Sequence, residues 1–263
     1  MKQDKILLTI SNLNDIKNYK KLGITNFLFP LNNYSVGYPT FSFKEVEASK
    51  VNAYVFMNRV LEDENIDSFI DLTIPKNVKG FIVEDIGLIE ILKNKGYEVI
   101  LYQNHLNNNY KTINHWLKSV DSLVISTDIT KEEISEIISK STKDLVLNTV
   151  GYPMIMYSRR TLVSNFTKHI GVQTQKKMTI NEERNNQDFF LVENEYGTAI
   201  FYNIPFDYRE LIDEFDNKLK YYLINTAYLE KSAIMDAING KSINASRGFL
   251  DTKTVYRIGD IKW

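Results

Sequence analysis

The residues best suited to chemistry in this 263-residue chain are polar side chains that directly follow short apolar runs. Such runs read as strands, and in α/β proteins sites form where the strands end. Asn12 and Asp85 could equally well cap the helices that follow them. Asn58 and Gln103 lack that explanation, so we expect them to line a pocket. The full set is Ser11, Asn12, Asn58, Glu84, Asp85, Gln103, Asn104, His105, Ser126, Asp128, Asn148 and Asn225.

Four of these residues carry groups that ligate metals: Glu84, Asp85, His105 and Asp128. They follow different predicted strands, so they could converge on one ion. Residues on separate loops are nevertheless not a metal motif. The sequence favours solvated or capping side chains and predicts no metal site.

The motifs of common hydrolases are absent. The chain has no His-Glu-x-x-His helix and no Gly-x-Ser-x-Gly turn. Its histidines are His105, His115 and His169, and His115 falls beside Trp116 in a predicted helix. The one hydrolytic mechanism that these residues suggest is activation of water by a carboxylate, Asp85 or Asp128.

A basic segment, SRRTLVSNFTKHIGVQTQKK at 158–177, follows the seventh predicted strand. It has two arginines, three lysines and no acid, and we expect it to lie over the carboxyl ends of the strands. Guanidinium groups suit carboxylates and phosphates. The sequence therefore predicts that Asn58, Gln103, Arg159 and Arg160 face one anion-binding pocket. The alternative is a solvated loop balanced by Glu182 and Glu183.

Composition limits the classes of function. The formal net charge is −1, from 32 basic and 33 acidic residues, which argues against a wholly basic nucleic-acid binder but allows a local patch. The chain has no cysteine, which excludes disulfides, thiolate zinc sites, cysteine-held iron–sulfur clusters and thiol nucleophiles. No signal peptide or membrane span is evident, so we expect a cytoplasmic protein.

Strands and helices alternate along the first 150 residues. Capping boxes at Ser42/Glu45 and Thr130/Glu133 mark two helix starts. Alternation of this kind predicts a parallel sheet with helices outside it. The predicted strands are 5–10, 26–29, 53–57, 78–83, 99–102, 122–125 and 145–150.

The alternation breaks after residue 150. Residues 178–202 read as extended pieces with a turn at 195–197, and a last strand and helix follow at 221–224 and 229–239. The predicted fold is a single TIM-type (β/α)8 barrel over 1–263. A β-rich insertion at about 152–207 separates its strands seven and eight. An open doubly wound sheet is the alternative.

Several stretches, taken in order, resemble the collagenase-like peptidase family (family U thirty-two), in its short cysteine-free branch. Where that family has His-Gly followed by cysteines, this chain has Val150, Gly151, Met154 and Thr161. In better-understood members those cysteines hold an iron–sulfur cluster, so the resemblance implies no such cofactor here. The stretches are VFMNRVLEDENIDSF, FIVEDIGLIEILK, LYQNHLNNNYKTINHW, VISTDITKEEISEI, VGYPMIMYSRRTLVSNF and GFLDTKTVY.

The resemblance implies three functions. The favoured one is a component of tRNA wobble-uridine hydroxylation, acting with a larger cluster-bearing paralogue. In that role Arg159 and Arg160 would bind an RNA phosphate or a small carboxylate donor. The second is a peptidase of undefined mechanism, and the third is a non-catalytic scaffold for a partner barrel.

Overall fold

The computed structural model of the chain describes residues 1–173, 175, 177–184 and 186–252. Thirteen strands occur in this part of the chain. They are β1 (Ile6–Thr9), β2 (Asn26–Pro30), β3 (Asn52–Met57), β4 (Val78–Val83), β5 (Glu98–Leu101), β6 (Ser122–Leu123), β7 (Leu145–Gly151), β8 (Met154–Ser158), β9 (Lys177–Glu182), β10 (Gln187–Asn194), β11 (Gly197–Tyr202), β12 (Phe206–Asp207) and β13 (Leu219–Ile224).

Nine α-helices accompany these strands in the described residues. The sequence signals for helix starts are confirmed, because Asn12 accepts a hydrogen bond from the Asn14 amide and both predicted capping boxes form. The helices are α1 (Ile16–Lys21), α2 (Phe43–Ser49), α3 (Asp63–Ile70), α4 (Leu88–Asn94), α5 (Tyr110–Trp116), α6 (Lys131–Lys140), α7 (Leu162–His169), α8 (Glu210–Phe215) and α9 (Lys231–Ile238).

The larger sheet has nine strands in the order β12-β7-β13-β1-β2-β3-β4-β5-β6. Every neighbouring pair is parallel except β12 with β7. The sheet curls, so that Val124, just past β6, forms a parallel bridge with Val146 of β7. The Ile125 amide also donates to the Val146 carbonyl at 3.0 Å. The predicted α/β fold with a mostly parallel sheet is confirmed.

A second sheet lies between β7 and β13 in the sequence. It is antiparallel, in the order β8-β11-β10-β9, and Phe190 of β10 pairs with Phe201 of β11. The extended pieces predicted at 178–202 therefore form strands β9 to β11. The sequence did not predict β8 or helix α7, and the basic segment that begins at Ser158 contains α7 rather than forming one loop.

The two faces of the large sheet bury different sets of side chains. One face packs against the helices, with buried residues such as Leu8, Phe27 and Phe81. The other face buries an inner cluster that includes Leu7, Ile82 and Val146. Consecutive residues of a strand point to opposite faces, which explains why Leu7 and Leu8 belong to different clusters.

The second sheet packs against the carboxyl end of the large sheet. Phe190, Ala199 and Phe201 belong to the inner cluster. Tyr38, in the loop after β2, lies edge-on to Phe201, with ring centroids 5.8 Å apart. Phe56, near the end of β3, stacks on Tyr102 just past β5 at 5.9 Å. This end of the sheet is thus covered by apolar side chains over much of its area.

Within the described residues, no helix has the length and apolar character needed to cross a membrane.

Candidate functional site

The carboxyl group with a raised pKa at this edge of the sheet is that of Glu84, immediately after β4. Its amide donates to the Met57 carbonyl at 3.0 Å, which extends the β3–β4 pairing by one residue. Its side chain is half-buried. Burial raises the pKa of Glu84 to about 7, Asp85 adds to the rise, and His105 opposes it. A carboxyl group with this pKa can accept or release a proton near neutral pH.

His105 and Asp128 form a pair beside Glu84. His105 follows β5, Asp128 follows β6, and the imidazole Nδ1 contacts the Asp128 carboxylate. The hydrogen bond with Asp128 raises the pKa of His105, and the charges of Asp128 and Glu84 add to the rise. The ring is also hydrogen-bonded to the backbone of Ile155 in β8. A positively charged imidazolium is therefore favoured between two acidic groups.

A chain of hydrogen bonds leads from the interior of the sheet to Asn104, the neighbour of His105. Asn148 Nδ2 donates to the Tyr102 hydroxyl at 3.2 Å, and that hydroxyl donates to Asn104 Oδ1 at 3.2 Å. Asn104 Nδ2 donates to the Met154 carbonyl at 2.7 Å. It also lies 3.4 Å from His105 Nε2, but an imidazolium carries a hydrogen there and cannot accept from an amide nitrogen. The chain therefore orients Asn104 beside the imidazole ring.

One buried atom at the inner end of this chain has no partner. Asn148 Oδ1 accepts no hydrogen bond from the described residues, although Asn148 is only 5% exposed. Buried polar atoms in folded proteins are nearly always hydrogen-bonded. This edge of the sheet thus combines displaced pKa values with an unused acceptor.

Residues 41–186, more than half of the chain, match the family described as Peptidase family U32. The chain belongs to this family. The matched segment contains Glu84, His105, Asp128 and the whole hydrogen-bonded chain around them. The resemblance read from the sequence is therefore confirmed, and the acid–base groups lie in the part of the chain that defines U32 membership.

Other comparisons add little to the U32 assignment. No curated protein matches the chain significantly. A chitinase from Chromobacterium violaceum aligns at 10% identity over 90% of this chain and 98% of its own, with a TM-score of 0.43. The spore cortex-lytic enzyme SleL of Bacillus cereus aligns at 10% identity over 92% and 74%, with a TM-score of 0.39. Neither score supports a conclusion about this chain.

Asp85, a predicted catalytic candidate in this U32 chain, has a structural role. Its Oδ2 accepts from the Leu61 amide at 2.8 Å, and its Oδ1 accepts from the Gly87 amide at 2.9 Å. The capping interpretation of Asp85 is thus the one that the contacts support. Each carboxylate oxygen of Asp85 accepts a backbone hydrogen bond, and its neighbour Glu84 is the carboxyl group of this loop whose pKa is raised.

Asn58 and Gln103, the predicted pocket residues, differ in their surroundings. The Asn58 side chain is buried and makes two hydrogen bonds with the backbone of Val36. Its Oδ1 accepts from the Val36 amide at 2.9 Å, and its Nδ2 donates to the Val36 carbonyl at 3.0 Å. The amide group of Asn58 is therefore already used to hold the loop after β2. Gln103 is half-buried after β5.

Arg159 and Arg160 directly follow strand β8, and both side chains are exposed. Arg159 forms an ion pair with Glu62 in the loop after β3. That Asn58, Gln103, Arg159 and Arg160 face one anion-binding pocket stays a prediction.

Helix α7, which follows the two arginines, is held by a buried carboxylate. Glu193 of β10 is 7% exposed and accepts from the Val163 amide at 2.8 Å and the Ser164 amide at 3.1 Å. Thr198 donates to the same carboxylate at 2.8 Å. A negative charge at a helix N-terminus is favourable, so Glu193 acts as a cap supplied from another strand.

The described residues contain no group of three or more His, Asp or Glu side chains arranged to hold a metal ion. A residue that the sequence analysis did not single out is Arg59. It directly follows Asn58, and its guanidinium is buried at the same edge of the sheet. The one signal in the sequence was its position directly after Asn58, at the end of a predicted strand.

Proposed function

We propose that this U32 chain is a component of tRNA wobble-uridine hydroxylation and supplies proton transfer to that reaction. Glu84 would be the group that exchanges the proton, and the His105–Asp128 pair would set its electrostatic environment. The single observation that carries the proposal is the convergence of Glu84 and His105 in a chain without cysteine. Such a chain can move protons, whereas a cysteine-held cluster has to come from another protein.

The residues present do not fit the iron–sulfur cluster of the better-understood relatives. Val150, Gly151, Met154 and Thr161 stand at the corresponding positions, and none of them offers a thiolate. A larger cluster-bearing paralogue is therefore the proposed partner, with tRNA as the shared substrate and a small carboxylate as the proposed donor. The cytoplasm, where tRNA is modified, is the proposed location.

We also propose that the large sheet is a closed eight-stranded barrel. The Val124–Val146 bridge supports this closure, because it joins β6 to β7 across the gap in the strand order. The second sheet would then be an insertion between the seventh and eighth barrel strands, at about 152–207. The proton-transfer site does not depend on this closure, because β4, β5 and β6 are neighbours in the sheet in either case.

Peptide hydrolysis is the second candidate, and the raised pKa of Glu84 favours it. A carboxyl group that titrates near neutral pH can deprotonate a water molecule that attacks a peptide carbonyl. Asp85 is less suited to this role than Glu84, because each of its oxygens already accepts a backbone hydrogen bond. In either candidate function Glu84 is the residue on which activity depends.

Deletion of the gene, followed by mass analysis of tRNA nucleosides, separates the two candidates. We expect the hydroxylated wobble uridine to disappear and to return when the wild-type gene is restored. Unchanged nucleosides, together with cleavage of peptides by the purified chain, would establish the peptidase instead.

A further inference from the structure

The guanidinium of Arg59 is a buried positive charge that lacks an acidic partner. Arg59 follows β3 and is 9% exposed. Among the residues that the structure describes, no carboxylate oxygen lies within 4.0 Å of its side-chain nitrogens. Arginine is almost never buried to this extent unless it is paired.

Neutral groups surround this guanidinium. Its Nη1 donates to the Asn33 carbonyl, and its Cζ lies 3.9 Å from the centre of the Tyr196 ring. Its positive charge also opposes the rise in pKa that burial gives the Tyr157 and Tyr34 hydroxyls, so both side chains lie near it. These contacts fix the orientation of the side chain without neutralising its charge.

One nitrogen of the group is unused. Arg59 Nε is buried and has no hydrogen-bond partner in the described part of the chain. Nε and one Nη form the edge of the guanidinium that binds a carboxylate or phosphate with two parallel hydrogen bonds. A bound anion would stabilise both the buried charge and the buried unpaired donor of this group.

We propose that Arg59 is the centre of a binding site for a small oxyanion, either a carboxylate or a phosphate, that contacts its Nε. The guanidinium lies over the Tyr196 ring, and the Asn33 carbonyl and the Tyr157 side chain lie beside it. This site differs from the predicted one at Arg159 and Arg160, whose side chains are exposed. The inference does not depend on the proposed role in RNA modification.

Titration calorimetry with malonate and with inorganic phosphate tests the proposal, using sodium chloride at matched ionic strength as the blank. The wild-type protein should bind at least one of the two anions saturably at a single site. Arg59→Gln should weaken this binding at least tenfold, and Arg59→Lys should weaken it about tenfold because an ammonium lacks the two-pronged edge. Arg184→Gln, a change at an exposed arginine between β9 and β10, should leave it unchanged. The two anions distinguish a carboxylate site from a phosphate site.

Absence of saturable binding in the wild type would overturn the proposal, as would equal losses in Arg59→Gln and Arg184→Gln. A measurement on the wild-type protein alone covers the case in which Arg59 variants do not fold. The Nε–H NMR signal of Arg59 should shift on addition of the bound anion. A signal that stays in place while other arginine signals move would also overturn the proposal.

Discussion

The two ends of the parallel sheet differ in how their buried charged groups are balanced. At the amino end, the hydroxyls of Tyr54 and Tyr221 lie 2.6 Å apart, Tyr54 donates to Glu98 at 2.9 Å, and Lys220 lies 2.8 Å from the same carboxylate. At the carboxyl end, Arg59 Nε and Asn148 Oδ1 are buried without partners among the described residues.

This difference separates stability from function. Buried atoms without a hydrogen-bond partner occur at both ends of the sheet, because Glu98 Oε1 and Asn77 Oδ1 at the amino end also lack one among the described residues. The charge of Glu98 is nevertheless balanced by Lys220. At the carboxyl end, the positive charge of Arg59 is buried without an acidic partner in the described residues, and burial raises the pKa of Glu84 to about 7. Buried unpaired charges and groups that titrate near neutral pH concentrate where a protein binds or transforms a ligand. We propose that the carboxyl end carries the function and the amino end supports the fold.

The largest expected effect comes from exchanging one carboxylate at each end. Glu84→Gln should lower the rate of the catalysed reaction by about 10²- to 10⁴-fold, the usual contribution of a general acid or base. Glu98→Gln, the matched change at the amino end, should leave the activity per folded molecule unchanged. Restoring each variant to the deletion strain and measuring hydroxylated tRNA nucleosides gives the comparison. Equal activity of the two variants would remove the functional distinction between the ends.

The second-largest expected effect is a change in the free energy of unfolding with pH. The pKa of Glu84 is raised in the folded protein from 4.5 to about 7, so the folded state binds this proton more tightly than the unfolded state does. The resulting stabilisation is complete below about pH 4.5 and is lost as the pH rises through about 7. Its full size is about 3 kcal/mol. Urea unfolding across this range should show a decline that Glu84→Gln reduces, and an identical pH profile in the variant would argue against a buried Glu84.

Loss of one hydroxyl at the amino end should affect stability alone. Tyr54→Phe removes the hydroxyl that joins Tyr221 to Glu98. Leaving buried partners unsatisfied costs about 1–3 kcal/mol, so the urea midpoint should fall by the corresponding amount. The activity of the folded variant should match the wild type. A loss of activity without a loss of stability would show that the amino end takes part in function, which would contradict the distinction between the two ends.

The smallest effect is expected at Arg159. Its ion pair with Glu62 joins two exposed side chains. Exposed pairs of this kind contribute at most about 1 kcal/mol, and salt screens them. Arg159→Gln should therefore change the free energy of unfolding by less than that amount. A larger loss would show that the basic segment has a structural role beyond this contact.

Local patterns in the sequence were sufficient to predict the large sheet and most of its helices. The capping boxes at Ser42 and Thr130 and the runs of apolar residues are short-range signals, and the structure contains the elements that they indicate. Helix α7 was missed because Glu193, about thirty positions later in the chain, caps it. A cap supplied from a distant strand leaves no local pattern.

The sequence predicted residues of the candidate site but not the role of each one. The sequence placed Glu84 and Asp85 together after the fourth strand, but it could not show which carboxylate would cap the loop. That choice depends on the Leu61 amide from another loop. The burial of Arg59 could likewise not be predicted from the sequence, because it depends on Tyr196 in the turn between β10 and β11.

Titration of the Glu84 side-chain carboxyl by NMR tests the central claim most directly, since it measures the environment of one group at the carboxyl end of the sheet. We predict a midpoint of about 7 for the titration of this carboxyl group. A midpoint near the ordinary glutamate value of 4.5 would contradict it, because a solvated Glu84 would give this edge of the sheet no proton-transfer group suited to neutral pH.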